Sequence, residues 1–114
     1  MCIGWSTTTT DPGDDSEQVE WQLEYRYTQA DEATNAAAEE TLYITSSAST
    51  VAEGLVISTF AGMNVPNAND ICIHCRIKRL SSASAGNQED TVADDVEVHG
   101  VVMQYTANKL GTAT

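Results

Sequence analysis

Val19-Glu20-Trp21-Gln22-Leu23-Glu24-Tyr25-Arg26-Tyr27-Thr28 alternates without a miss between apolar or aromatic and polar residues. A β-strand is the regular structure whose side chains repeat every two residues, so the stretch predicts a strand and marks the chain as all-β. Val19, Trp21, Leu23, Tyr25 and Tyr27 fall on one face, and Glu20, Gln22, Glu24 and Arg26 on the other. That division predicts a sheet covered on one side and wet on the other.

Working outward, residues 6 to 18 are polar, acidic and broken by Pro12-Gly13, which predicts a turn or an arm. Ile3 and Trp5 ahead of them are apolar exceptions, so the first five residues are expected to dock, on their own domain or on a neighbouring subunit. The resulting division is an N-terminal arm over residues 1–18 and a single β-sandwich domain over 19–114.

On the other side, Gln29 to Glu40 is acidic and Ala-rich but interrupted by Thr34-Asn35, and reads as a long loop with at most one helical turn. Thr41 to Ser47 and Leu55 to Phe60 resume β character, and dense turn signals follow from Ala61 to Asp70. Ile71 to Leu80 is the next clear strand, with Ile71, Ile73, Cys75 and Ile77 inward and Cys72, His74, Arg76 and Lys78 outward. Ser81 to Thr91 is a polar loop, and Val92 to Thr106 is a long strand whose valines do not hold one parity, which predicts a bulge near Gly100. Five or six strands joined by turn-rich loops predict two antiparallel sheets packed face to face, a jelly-roll-like sandwich.

At 114 residues the chain has the length of one domain. Seventeen acidic residues against five basic ones give a formal charge of −12. Such a charge disfavours nucleic acid and anionic membrane surfaces as partners, because either is repelled over most approaches. The odd count of three cysteines, with no secretory signal, argues against a disulfide framework. A Cys72–Cys75 bridge is also disfavoured. Residues three apart in a strand span about 10 Å, beyond the roughly 7 Å between Cα atoms that a disulfide tolerates.

No nucleophile-base pair, phosphate loop or strong metal-ligand spacing is present, so no enzymatic activity, cofactor or resident metal is expected. Cys72-Ile73-His74-Cys75 carries the ligand types that zinc prefers, but alternation sends Cys75 to the face opposite Cys72 and His74. The acidic pairs Asp14-Asp15, Glu39-Glu40, Glu89-Asp90 and Asp94-Asp95 lack the spacing of a calcium loop. Glu97 and His99 form a possible acid-base pair with no nucleophile beside it. Arg76, Lys78 and Arg79 gather three of the five positive charges within four residues. They are expected either to pair with Glu20, Glu24 or Glu97 across strands, or to form a basic patch that meets the acidic surface of a copy or partner.

Two stretches carry a family resemblance. Leu55-Val56-Ile57-Ser58-Thr59-Phe60 precedes Asp70-Ile71-Cys72-Ile73-His74-Cys75-Arg76-Ile77-Lys78-Arg79-Leu80, and Asp90-Thr91 leads to Val96-Glu97-Val98-His99-Gly100-Val101-Val102-Met103-Gln104-Tyr105 and Lys109-Leu110-Gly111-Thr112. This order resembles small virion proteins encoded among the structural genes of tailed bacteriophages. Trp21, Arg76 with Arg79, Gln104-Tyr105 and Leu110-Gly111-Thr112 match the family's tryptophan-bearing first strand, arginine-ended central strand and closing strand. The match spans residues 19 to 112, and Cys72-Ile73-His74-Cys75 and the Cys- and Trp-bearing N-terminus depart from it.

The resemblance implies a non-enzymatic capsid decoration or head-fibre subunit. It implies a virion location, reached by assembly in the host cytoplasm, self-association as a homotrimer, and contact with the major capsid protein or other virion proteins. Trp5, Arg76, Lys78 and Arg79 are the residues expected to make contacts with copies or partners. A tail-fibre or baseplate module is an alternative, as is a small carbohydrate-binding sandwich, for which Trp5, Trp21 and Tyr43 are the available aromatic platform.

Overall fold

The computed structural model describes residues 1–8, 17–33, 38–65, 70–80, 90–92 and 95–104. Six strands run through them: β1 (Cys2–Thr7), β2 (Gln18–Gln29), β3 (Glu40–Ser47), β4 (Val56–Thr59), β5 (Ile71–Leu80) and β6 (Val96–Val102). They form two three-stranded sheets, ordered β4-β1-β6 and β3-β2-β5, and every neighbouring pair is antiparallel. No helix occurs among the described residues. The expected all-β, two-sheet architecture is the observed one.

Alternation in β2 places its aromatic face on the other sheet. Val19, Trp21, Leu23 and Tyr25 are buried with Ile3, Trp5, Ala48, Phe60 and Val92 in one cluster. The rings of Trp5 and Trp21 meet across the sandwich with centroids 6.0 Å apart and planes tilted by 58°. Such tilted pairs add a little to the roughly 1.5–3 kcal/mol that burying each large apolar side chain contributes.

The N-terminal segment departs from the expected arm. Residues 2–7 are the middle strand of their sheet, bonded to β4 on one side and β6 on the other. Trp5 is 0% exposed. Its indole Nε1 donates to Ser58 Oγ at 2.8 Å, and Ser58 Oγ donates to Ser46 Oγ at 2.6 Å. This chain of bonds joins β1, β4 and β3, closing the sandwich along the edge where β3 and β4 come together. Beside that edge the 48–54 turn needs its glycine. A Cβ on Gly54 would lie 2.1 Å from Ser49 Oγ and 2.8 Å from the Val51 carbonyl oxygen.

The β2 face expected to be wet is mostly covered, with Glu20, Gln22 and Glu24 buried. As the middle strand, β2 has a neighbour on each side whose long side chains can lean over its short central positions. Cys75 also differs from expectation: it stands opposite Tyr25 on the inward parity yet is exposed.

Strand β6 carries the expected irregularity. Gly4 pairs with Gly100 and Trp5 with Val98, so His99 is the extra residue of a bulge. The strand begins at Val96 rather than Val92. The readings that rest on Pro12-Gly13, Asp14-Asp15, Thr34-Asn35, residues 81–89, Asp94, Tyr105 and 109–112 lie outside the described residues.

Candidate functional site

The three cations read as one patch separate onto two faces. Cross-strand register sets Arg76 opposite Glu24 and Lys78 opposite Gln22, so all four share the outer face of the β3-β2-β5 sheet. The guanidinium of Arg76 is bonded to Glu24 Oε2, and Lys78 Nζ lies 3.2 Å from Glu24 Oε1, which also accepts from Gln22 Nε2 at 2.8 Å. Burial pushes the Glu24 carboxyl pKa up, but the hydrogen bonds and charges of Arg76 and Lys78 outweigh it and hold the group below its ordinary value. The intramolecular pairing considered for these cations is therefore present, with Glu24 as the shared anion.

Arg79 points the other way. Its position opposite Trp21 gives it the inward parity, and it grips Asp90 with two bonds, Nε to Oδ2 at 2.7 Å and Nη2 to Oδ1 at 2.8 Å. Nη2 also donates to the Val92 carbonyl oxygen. The same 90–92 segment is tied to the start of β2, where the Thr91 amide donates to the Gln18 carbonyl and the Gln18 amide donates to Thr91 Oγ1, both at 2.8 Å. Arg79 thus clasps a loop onto the sheet and is not part of a surface patch with Arg76 and Lys78. The signal was in the alternation itself, since Arg79 has the parity of Ile71, Ile73, Cys75 and Ile77.

Trp5 and Trp21 are both consumed by the core, so of the three aromatics considered as a glycan platform Tyr43 alone stands exposed. Cys2, Cys72 and Cys75 are free thiols, and no group of three or more metal-ligating side chains gathers among the described residues. His99 Nε2 lies 2.8 Å from Ser6 Oγ, a bond that pins the bulge to β1. Tyr25 uses its hydroxyl as a brace, donating to Glu40 Oε2 at 2.7 Å and accepting from the Asn64 amide at 3.0 Å. Burial first, and the Glu40 carboxylate second, raise its pKa.

A surface that residue-by-residue reading missed lies on the opposite side of the molecule, the outer face of β4-β1-β6. Register aligns Cys2, Gly4 and Ser6 of β1 with Thr59 and Ile57 of β4 and with Val102 and Gly100 of β6. Leu55, just ahead of β4, lies across Gly4: a Cβ on Gly4 would sit 3.4 Å from Leu55 Cδ1. Leu55 and Ile57 are 61% and 65% exposed. Gly100 has nothing within 4 Å of where its Cβ would be. The result is a shallow trough floored by glycine and walled in part by Leu55, Ile57 and Val102, with Cys2, Thr59 and the Ser6–His99 pair interspersed and no carboxylate until Glu97 at its far end. Apolar runs at 55–57 and 101–103 were the available signal, but only the cross-strand register brings them together.

Scanned against family models, curated proteins and solved structures, the chain matches none.

Proposed function

We propose that this protein is a non-enzymatic structural subunit of a tailed-phage particle, a capsid decoration or head-fibre protein that oligomerises and acts by surface contact. The observation that carries the contact role is the exposed aliphatic trough, free of carboxylates short of Glu97, on the β4-β1-β6 face of a chain with net charge −12. Contiguous exposed apolar surface on a soluble sandwich marks a place where something docks, and charge elsewhere keeps the particle surface soluble. Several such weak contacts on one particle add avidity without any chemistry.

The particle assignment is supported by the resemblance over residues 19 to 112. A jelly-roll-type strand order belongs to the same reading and is favoured by the repeated crossing of the chain between sheets, since among the six strands only the β2-to-β3 link stays within one. A glycan-binding sandwich is less well supported, because two of its three candidate aromatics are buried. The test is mass spectrometry of particles purified from a culture whose phage carries this gene. The chain is expected as a stoichiometric particle component, and its absence from intact particles would overturn the reading.

A further inference from the structure

The two sheets present four edge strands, and three of them are guarded. Strand β5 carries Arg76 and Lys78, whose side chains are 66% and 45% exposed, and long cations deter a foreign strand. Strand β4 has four residues, too short to template much pairing, and β3 meets it at the closed edge through the Ser46–Ser58 bond. Strand β6 has seven residues and pairs with β1 alone among the described strands.

Along β6 the apolar side chains stand exposed on both faces of the sheet. Val98 and Val101, opposite Trp5 and Ile3, have the inward parity and are 48% and 49% exposed; Val102, opposite Cys2, faces outward and is 57% exposed. A strand that is apolar on both sides and half-exposed on both has the surface of an interior strand lacking one neighbour. After the His99 bulge, Gly100-Val101-Val102 carries no charge, lysine or proline to block pairing.

We infer that the β6 edge is a homotypic contact at which a second copy of this chain adds its own β6, extending the sheet across the junction in the order β4-β1-β6-β6-β1-β4. Two considerations select a copy over a foreign chain. A two-fold axis normal to the sheet pairs identical edges antiparallel, as every observed pair in this fold already runs, and sets the valines of one copy against those of the other on both faces. Two bodies of charge −12 repel, and along β6 the run from Val98 to Gln104 carries no carboxylate to oppose the approach of a second copy. The two apolar troughs then lie side by side, doubling the surface offered to a particle. This inference rests on the proposed assembly role and specifies its self-contact.

Sedimentation of the purified full chain across a concentration series tests it. A monomer-dimer equilibrium is expected, with Val102→Lys weakening self-association by about tenfold or more, the equivalent of ~1.4 kcal/mol, while the melting temperature stays near that of the wild type. Val51→Lys, at an exposed apolar position in the 48–54 turn away from β6, should leave association unchanged. Exchange of those amides within 96–102 that do not bond to β1 should slow in the wild type as concentration rises, a readout that stands even if the lysine variant fails to fold. A monomer at all concentrations, slow exchange of these outward-pointing amides in the monomer, a trimer, or equal loss in the two lysine variants would overturn the β6 contact. Presence in or absence from purified particles decides the assembly role separately.

Discussion

Ser58 contributes one hydroxyl that answers two groups, the buried Trp5 indole and the half-buried Ser46 hydroxyl. It accepts from the Trp5 indole and donates to Ser46, so its loss strands a donor and an acceptor at the closed edge of the sandwich. Leaving buried polar groups unmade costs more than the bond itself contributes, and Ser58→Ala is expected to destabilise by about 1–3 kcal/mol in urea unfolding. Ser58→Thr, which keeps the hydroxyl, should lose less. Trp21 forms a useful contrast. Its buried Nε1 has no hydrogen-bond partner among the described residues, the situation that Ser58→Ala would impose on Trp5. The two tryptophans look alike in the sequence, yet Trp5 is anchored by a directed bond to the serine that in turn links the two sheets.

At the scale of the strand, the main lesson concerns β1. Within the 1–18 arm the first five residues are expected to dock on their own domain or on a neighbouring subunit, and Cys2–Thr7 form the spine of one sheet of their own domain, burying Ile3 and Trp5. Deleting residues 1 to 7 is therefore expected to abolish the cooperative unfolding transition and the near-ultraviolet tryptophan signal. A truncated protein that still melts sharply would show that β1 is dispensable. Strand β2 was legible because ten residues of unbroken alternation leave no other regular structure, and the bulge at His99 was legible because the valines around it change parity. The role of β1 was not, because Ile3 and Trp5 give a single alternation flanked by polar residues, too short to distinguish docking on the same chain from docking on a neighbour. Burial of Glu24 and the separation of Arg79 from Arg76 and Lys78 depend on the β2–β5 register, which no local pattern encodes. Cys75 failed for a related reason: parity gives direction but not depth, and an inward residue on an edge strand can remain open to solvent.

For the molecule as a whole, charge is the organising quantity. Seventeen acidic residues oppose five basic ones, and Glu24 is the acidic residue that secures two of those five. Because the folded state holds the Glu24 pKa below its ordinary value of 4.5, the pairing stabilises the fold at pH values above that and is lost as pH falls through the lowered folded value. The stability gap between wild type and Glu24→Gln, measured by urea unfolding at neutral pH and again well below pH 4.5, should therefore narrow on acidification. A gap that is unchanged or widens would show that the triad contributes nothing through its charge.

The pairing of β1 also fixes a timetable. Cys2 hydrogen-bonds across the sheet to a partner position, Val102, one hundred residues later, whereas β2 and β3 are close neighbours in the chain. During synthesis the β2–β3 hairpin can form early, but β1 must wait, with Trp5 uncovered, until β4 emerges, and its other edge stays open until β6 has left the ribosome. Folding of this protein is consequently expected to be slow, completed only after translation of β6, and most exposed to misassociation in the interval when β1 has one neighbour or none.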